Sequence, residues 1–379
     1  MLKRSPLIKV NNFIYPFSTM KKLILSASLL TLGIFSSQEI TETSAPKVTF
    51  SGYAEIFYAY DFNQPDKHIR QPFLYTYNRH NEFNLNLGLV KANYTTENMR
   101  ANLALMAGTY PQDNMSAEQD LLKNINEANI GFKISKTKNI WIDAGILPSH
   151  IGWESAIGKD NLTLTRSIAA ENSPYFETGA KISYTSDNGQ FFLSGLVLNG
   201  WQRIARPEGN QSLAFGHQLT YKFSDNLSVN SSSFIGNDKP TAEKKMRYFH
   251  DLYANFNLGE KWSGIAGFDI GAEQNAKGSQ KYNLWYSPNL LVRYAMTDQT
   301  KIGARVEYFN DENGVIIGTL SPNRFQTFGY SLNVDHEIHR NILWRTEARG
   351  FSSKDAIFMK DSQQEKTNFF ITTSISAWF

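Results

Sequence analysis

Apolar and polar side chains alternate along most of the chain, and the alternation is clearest between residues 366 and 379. One set of alternate positions there is mostly apolar, and comprises Phe369, Ile371, Thr373, Ile375, Ala377 and Phe379. The other set is mostly small and polar, and comprises Thr372, Ser374, Ser376 and Trp378. Successive side chains of a β-strand point to opposite faces, so the segment predicts a strand with one apolar face. Its length suits a tilted strand that crosses a hydrocarbon layer.

The same period of two residues recurs from Lys47 onward and predicts about sixteen strands, within a range of 14–18. We expect seven tight turns and eight longer loops, which places both ends of the strand array on the tight-turn side. Asn188-Gly189 is a strong hairpin signal. The segments near 191–201 and 227–237 alternate poorly. For the second strand we expect Phe83, Leu85, Leu87 and Leu89 to form the apolar face.

The polar faces separate two all-β architectures. In a soluble β-sandwich, one face of each sheet packs against the other sheet and the second face is exposed to water. Here aromatic residues gather towards the strand ends in two belts: Tyr94, Tyr184, Tyr221, Phe256, Trp262, Tyr294 and Phe379 near the turns, and Tyr58, Tyr308 and Phe351 near the loops. Two belts fit two lipid–water interfaces. The pattern therefore predicts a transmembrane antiparallel up-and-down β-barrel whose polar faces line an aqueous lumen.

Composition narrows the function. The chain has no Cys, which excludes disulfides and thiol chemistry, and 13% of its residues are aromatic. Residues 1–37 hold five basic and no acidic residues, so the remainder carries 33 basic against 35 acidic residues. A near-neutral remainder predicts no nucleic-acid partner.

The N-terminal region predicts export. Met20-Lys21-Lys22 followed by the apolar run 23–35 has the form of a signal peptide, with cleavage expected just before Gln38. We therefore divide the chain into an N-terminal extension and signal peptide over 1–37, with translation expected to start at Met20. A periplasmic leader follows over 38–46, and the transmembrane barrel covers 47–379.

Catalytic and cofactor signals are missing from the sequence. It has no nucleophile elbow, phosphate loop or dinucleotide-binding glycine pattern, and its seven His residues are scattered. We predict no catalytic residue, no metal and no cofactor. An enzyme with a site on the barrel rim stays open as an alternative.

The longest loop, residues 148–174, follows the fifth strand. Long loops without structure of their own are often functional. Two interpretations stay open: the loop folds inward and narrows the pore, or it packs on neighbouring loops at the surface. If it folds inward, the candidate constriction residues are Trp153, Glu154, Lys159, Asp160, Arg166 and Glu171.

Three segments carry a resemblance to a known family. The start VTFSGYAEIFYAY, the segment GILPSHIGWESAIGKDNLTLTRS and the aromatic last strand resemble the OmpL-like family of outer-membrane β-barrel porins of Bacteroidetes-type bacteria. The similarity covers about residues 47–379. It implies passive passage of small hydrophilic solutes and brings no catalytic residues. Phe379 at the end of an alternating strand resembles the assembly signal of such barrels.

We therefore predict a porin in the outer membrane of a Gram-negative bacterium. The expected partners are outer-membrane lipid, the barrel-assembly machinery and small hydrophilic solutes, and a homo-oligomer is left open. A structural or adhesive barrel with a blocked lumen is the second alternative. The predicted pore-lining residues are Glu55, Arg100, Lys133, Lys181, Asp251, Arg293, Lys301, Arg305, Glu307, Asp335, Arg345, Glu347 and Arg349.

The charges of this predicted wall have both signs, so we expect weak ion selectivity. Lys301, Arg305, Arg345 and Arg349 are expected on neighbouring inward faces, and they predict a basic arc in the C-terminal wall. Only the predicted strand over 327–335 separates the strands that carry Arg305 and Arg345. If the interleaved acids do not neutralise that arc, replacing the three arginines by Glu should shift permeability towards cations in a barrel that still folds.

Overall fold

Sixteen antiparallel strands close into a barrel in the computed structural model, which describes residues 46–379. The predicted signal peptide and all but the last residue of the leader lie outside the described residues. Each strand pairs with its sequence neighbours, and β18 pairs with β1 to close the ring. The strands are β1 Lys47–Asp61, β2 Phe83–Thr95, β3 Met99–Ala107, β4 Ile125–Lys133, β5 Asn139–Pro148, β6 Phe176–Thr185, β7 Phe191–Leu198, β8 Ala214–Ser224, β9 Leu227–Gly236, β10 Arg247–Leu258, β11 Trp262–Gln274, β12 Tyr282–Ala295, β13 Thr300–Asp311, β14 Phe325–His339, β15 Ile342–Ser353, the loop hairpin β16 Phe358–Lys360 and β17 Gln363–Glu365, and β18 Thr367–Trp378.

The connections differ in length at the two ends of the barrel. Seven turns of two to five residues join strands at one end, which we call the tight-turn end. Eight connections of seven to 27 residues join them at the other, the long-loop end. The predicted strand number and alternation of turns and loops are confirmed. Two short α-helices lie in the long loops, α1 Thr109–Asn114 and α2 Ile168–Glu171, as do 3-10 turns at Asp120–Asn124, Gly158–Asp160 and Thr241–Glu243.

Local sequence explains the tight turns. In the turn between β6 and β7, Gly189 adopts φ 69°, a left-handed conformation that costs glycine little. The hydroxyl of Ser186 accepts a hydrogen bond from Phe191 N at 2.9 Å across the same turn. These contacts hold the register in which Ile182 lies opposite Gly195.

The outer surface of the barrel is apolar. Outward side chains such as Ile130, Leu332 and Ile375 are 65%, 58% and 52% exposed, while the alternate residues of the same strands point inward and are buried. Aromatic pairs lie near both ends: Trp262 and Tyr294 at the tight-turn end with ring centroids 4.8 Å apart, and Tyr248 and Tyr282 at the long-loop end at 5.9 Å. An apolar band between two aromatic belts is what a hydrocarbon layer selects.

Two predicted face assignments are wrong. The register of β2 against β1 shifts between Glu55 and Ile56, so that Leu87 and Leu89 point inward and are 0% and 6% exposed. A bulge adds one residue to one strand and therefore exchanges the two faces beyond it. Phe351, assigned to an outer belt, lies inside the barrel at 1% exposure, on the same face of β15 as Arg349.

Within the described chain, no helix is long and apolar enough to cross a membrane.

Candidate functional site

The 27-residue connection between β5 and β6, residues 149–175, folds into the barrel, and we call it the inner loop. Its backbone bonds to inward side chains of two strands that lie four places apart in the ring: Gly152 N donates to Asp251 of β10 at 2.5 Å, and Leu164 N donates to Asn333 of β14 at 3.1 Å. The sequence left two interpretations open, and the structure shows the first of them: the loop folds inward.

Short-range polar contacts give the inner loop its shape. The Ser167 hydroxyl caps α2 by accepting from Ala170 N at 3.1 Å, and Ser167 N donates to the Glu154 carboxylate at 3.0 Å. Asn161 bonds twice to Ser155, donating to its carbonyl at 2.9 Å and accepting from its backbone N–H at 2.7 Å. Burial raises the pKa of Glu154 above its ordinary value, and Arg305 and Ser167 oppose that rise. The loop thus holds a fixed form that can pack against a wall.

Three buried arginines of β13 and β15 hold the inner loop, and we call them the arginine clamp: Arg305, Arg345 and Arg349. Arg305 donates to the carbonyl of Thr165 at 2.6 Å and to its hydroxyl at 3.0 Å. Arg345 donates to Gly158 O at 2.6 Å, and Arg349 to the carbonyl of Arg166 at 2.8 Å. Guanidinium groups present several donors in a fixed plane, which suits them to bind several carbonyls at once.

Inward acids of the same wall neutralise the clamp. Glu347 lies 2.9 Å from Arg305, Glu307 lies 2.6 Å from Arg349, and Asp335 lies 2.6 Å from Arg345. Two of these acids also bind the loop backbone, because Glu347 accepts from Thr165 N at 2.5 Å and Glu307 accepts from Ile168 N at 2.6 Å. Charged pairs this deeply buried are costly to separate, since removal of one partner leaves an uncompensated charge.

The inner loop reaches two further walls. Trp153 lies flat against Gly267 of β11, where a Cβ would sit 2.7 Å from the indole, and its ring meets Tyr253 at a centroid distance of 5.8 Å. Lys159 stands 5.3 Å from the ring of Trp378 on β18, which is five strands away from β11 in the ring. The loop therefore crosses the lumen between walls that belong to distant strands.

The six candidate constriction residues have different environments. Glu154, Arg166 and Glu171 are buried, and Glu171 accepts from Tyr75 N at 2.9 Å, which ties the inner loop to the loop after β1. Arg166 stacks 3.9 Å from the Tyr175 ring centroid. Trp153 and Lys159 are half-buried, and Asp160 is exposed.

All thirteen predicted pore-lining residues lie on inward faces, in two groups. Arg100, Lys133, Lys181, Arg293 and Lys301 are half-buried. The other eight are at most 4% exposed, namely Glu55, Asp251, Arg305, Glu307, Asp335, Arg345, Glu347 and Arg349. Three of the four residues of the predicted basic arc thus form the arginine clamp beneath the inner loop, and the fourth, Lys301, is half-buried. That the thirteen residues line the path of solutes remains a prediction.

Three inward residues that the sequence analysis did not single out complete the wall of β2–β5. Lys91 pairs with Glu127 at 2.5 Å, and Arg100 with Asp143 at 2.5 Å. Lys91 and Glu127 line a cavity of about 250 Å³ between this wall and residues 151–157 of the inner loop. Lys91 shares the parity of Leu87 and Leu89, which the sequence analysis assigned to the apolar face, so the register shift of β2 concealed Lys91 as well.

Comparison with known proteins agrees with this architecture. Residues 47–379 match the model of the family described as "Putative beta-barrel porin-2, OmpL-like". The chain belongs to this family. It is an outer-membrane porin of a Gram-negative bacterium, as its sequence predicted.

Solved structures share the fold at low sequence identity. OmpT of Vibrio cholerae in its trimer form has a TM-score of 0.58 with 10% identity, over 89% of this chain and 100% of OmpT. An anion-selective porin from Comamonas acidovorans has a TM-score of 0.56 with 11% identity, over 88% of this chain and 100% of that one. The channel DcaP of Acinetobacter baumannii has a TM-score of 0.56 with 9% identity, over 90% and 99%. No curated protein matches the chain in sequence.

The long-loop half of the porin's interior holds an aromatic cluster, which we call the aromatic cap: Phe73, Phe249, Trp285, Phe309, Phe325, Phe351, Phe358 and Phe370. Phe73 comes from the loop after β1 and meets Phe325 at a centroid distance of 4.8 Å. Phe358 comes from the hairpin before β18 and stacks on Phe351 at 6.0 Å. Two loops thus fold over the inward aromatics of β10–β15 and β18, so this side of the mouth is apolar and packed.

One anchor of the inner loop depends on pH. His150 Nδ1 lies 2.7 Å from Glu177 and its Nε2 lies 2.8 Å from Ser233 O, so both nitrogens face acceptors. Burial by itself lowers the pKa of His150, but the Glu177 carboxylate outweighs it and the net shift is upward. A raised pKa stabilises the folded state fully below the ordinary histidine value of about 6.5 and loses that contribution as pH rises through the raised value.

We therefore expect the heat-unfolding midpoint of the purified porin to fall as pH rises above neutral, and to fall less in His150→Gln. Electrophoretic heat modifiability at a series of pH values measures this. Parallel pH curves for the two proteins would show that His150 is not charged in the folded barrel.

In the chain from residue 46 onward, no group of three or more His, Cys, Asp or Glu side chains is placed to hold a metal ion. At the end of the barrel wall, Phe379 O accepts from Gly52 N at 3.2 Å, next to the closing pair of strands. Its role as an assembly signal stays a prediction.

Proposed function

We propose that hydrophilic solutes pass the inner loop on the side of β2–β6, not along the C-terminal wall. The contrast in burial carries this proposal. The side chains of Lys91 and Arg100 are 28% and 34% exposed, whereas Arg305, Arg345 and Arg349 are at most 1% exposed. A charged side chain keeps solvent contact only where water reaches it, so water lies along β2–β6.

The cavity between Lys91, Glu127 and the inner loop supports the same route. It is bounded by the loop on one side and by the barrel wall on the other, and both sides present polar groups. On the opposite side of the lumen, the arginine clamp and the aromatic cap leave little polar surface. A water-filled path selects solutes by its width and by the charges on its wall.

We further infer a preference for anions. The half-buried residues of the predicted pore-lining set that lie along β2–β6 are all basic: Arg100, Lys133 and Lys181. The acids of that set are buried: Glu307, Asp335 and Glu347 pair with the clamp, Asp251 accepts from Gly152, and Glu55 accepts from Tyr77 and Asn86. The weak selectivity expected from the sequence assumed that both signs face the path, and the burial pattern no longer supports that assumption.

Single-cysteine variants test the route, because the chain has no cysteine of its own. Lys91→Cys labelled with a bulky water-soluble thiol reagent should lose more than about half of its single-channel conductance, since the label narrows the path. Asn333→Cys is the matched control, because Asn333 is also an inward strand residue but is 0% exposed beneath the inner loop.

The expected control result is a conductance that the reagent leaves unchanged. A block of Asn333→Cys without a block of Lys91→Cys would place the path on the C-terminal side and contradict the proposal.

We also propose that the porin is not an enzyme. The family match and the channel architecture support this, and a lipase and protease assay on purified protein tests it. Hydrolysis of either substrate class by the folded barrel would revive the rim-enzyme alternative. A bilayer that shows no conductance steps with folded protein would favour the blocked-lumen alternative.

A further inference from the structure

The outer face of β7–β10 carries a row of small and polar side chains inside the apolar band. Gly195, His217, Ser233 and His250 lie side by side on four neighbouring strands, as the register pairs Gly195 with His217, His217 with Ser233, and Ser233 with His250. We call these four residues the histidine row. Their inward neighbours Ser232 and Asp251 bond to the inner loop, which confirms that the row points outward.

The row is held together by its own contacts. His217 Nδ1 lies 2.5 Å from the Ser233 hydroxyl, and the rings of His217 and His250 are 6.3 Å apart. Ser231, the next outward residue of β9, places its hydroxyl 3.5 Å from His217 Nε2. Two histidines and two serines thus form one polar patch across three strands.

The row lies on the hydrocarbon side of the aromatic belt. Along β10 the outward residues run from Tyr248 at the long-loop belt through His250, Leu252 and Ala254 to Phe256 at the tight-turn belt. His250 is two residues inside Tyr248, or about 7 Å along the strand. Another outward histidine, His336, lies three residues before the end of β14 at the tight-turn end and bonds to Thr300 of its own barrel at 2.9 Å.

Lipid tails cannot satisfy the hydrogen-bonding groups of the row that its own contacts do not use. Acyl chains offer no hydrogen-bond partner, and a polar group left without one in hydrocarbon costs free energy. Headgroup phosphates belong outside the aromatic belt, away from the row. A protein surface with donors and acceptors at the same depth removes the cost.

We propose that the histidine row is covered by a second copy of this chain, in a two-fold contact centred on Ser233. The row is self-complementary, because one histidine stands on each side of β9. A two-fold axis along the membrane normal at Ser233 turns His217 of one protomer towards the side of its partner that carries His250, and the reverse. A neutral imidazole donates at one nitrogen and accepts at the other, so the two side chains suit each other.

The shape of the row also favours close approach. Gly195 has only Ile182 Cγ2 near its missing side chain, at 3.9 Å, and the serines are small. Around them stand Phe215, Ile235 and Leu252, which are 52%, 43% and 45% exposed. Small residues within an apolar rim let membrane-embedded backbones come together, as in other membrane-protein contacts. This contact concerns the outer face, so it stands or falls apart from the solute path proposed above.

Cross-linking tests the contact. Ser233→Cys should form a disulfide-linked dimer in outer membranes on mild oxidation, because a residue on a two-fold axis meets its own copy. Ile56→Cys is the matched control: it is an outward residue of β1, on the far side of the barrel, and is 55% exposed. We expect the control to stay monomeric under the same oxidation. Folded Ser233→Cys that also stays monomeric would overturn the proposal, as would equal cross-linking of the two variants.

A second variant covers the case in which Ser233→Cys folds poorly. His217→Leu/His250→Leu removes both imidazoles while keeping the outer face apolar, so the barrel itself should fold. We expect the dimer dissociation constant in detergent to rise about tenfold, the size of two hydrogen bonds between membrane-embedded groups. An unchanged association state would mean that the row faces lipid, and a trimer that survives in both variants would place the subunit contact elsewhere.

Discussion

Replacement of Arg305 by Leu should release the inner loop and raise the single-channel conductance about twofold or more, because the loop no longer occupies the lumen. The change removes the donors to Thr163 and Thr165 and leaves Glu307 and Glu347 short of a counter-charge. Breaking a buried ion pair from one side costs about 3–5 kcal/mol of folding free energy. Here the two carboxylates that lose their partner also hold the loop backbone at Thr165 and Ile168. Planar-bilayer recording of the folded variant measures the step size.

Lys301→Leu is the matched control, since Lys301 lies on the same inward face of β13 but is half-buried. It makes no hydrogen bond or ion pair to the inner loop in the described chain, so its step size should stay near that of the wild type. Wild-type steps from folded Arg305→Leu would mean that other contacts suffice to hold the loop. For the same reason, replacement of Arg305, Arg345 and Arg349 together by Glu should also release the inner loop. The sequence alone predicted only a change in ion selectivity.

Introduction of a charge on the outer face should have the second large effect. Ile182→Arg should lower the free energy of unfolding by about 2 kcal/mol, because a cationic side chain costs about 2–4 kcal/mol at the middle of the bilayer and less towards the interface, and Ile182 lies two residues inside the belt residue Tyr184. Ile182 is 50% exposed on the outer face of β6, between the inward residues Lys181 and Ser183. Urea titration of the barrel in lipid vesicles measures the loss.

Ile182→Ala shortens the same side chain without adding a charge. It should lower the free energy of unfolding by about 1 kcal/mol only, because a lipid-facing side chain packs against acyl chains and not against a protein core. Equal losses for Ala and Arg would show that this face does not contact hydrocarbon. Lys181, the natural cation next in sequence, should tolerate replacement by Arg with almost no change.

The strands could be predicted because each one is a local pattern. Residues 366–379 show their two faces without reference to any other strand, and the same holds for β13, β14 and β15. The prediction of side-chain faces failed where a register shift between paired strands exchanges the inward and outward positions. In β2 the shift against Glu55 turns Leu87 and Leu89 inward, and no property of β2 alone signals it. Phe351 was misplaced because aromatic residues suit both a lipid belt and a packed lumen.

The candidate site could be predicted only as a set of inward positions. Arg305, Arg345 and Arg349 were placed on one inward arc, and they do share it. Whether water or another part of the chain covers the arc depends on residues 158–168, which lie some 140 positions earlier in the sequence than Arg305. The sequence left the place of that loop open between the lumen and the surface.

By itself, then, the sequence determined the barrel, its strand number, the face of most side chains and membership of a porin family. These follow from a period of two residues and from turn chemistry, both of which act over a few positions. Only the tertiary structure decided that the inner loop lies in the lumen, that the arginine clamp is buried beneath it and that two histidines meet Ser233 on the outer wall. The reason is physical: hydrogen bonds and ion pairs act only over a few ångströms, and closure of the barrel alone brings residues from distant strands within that range.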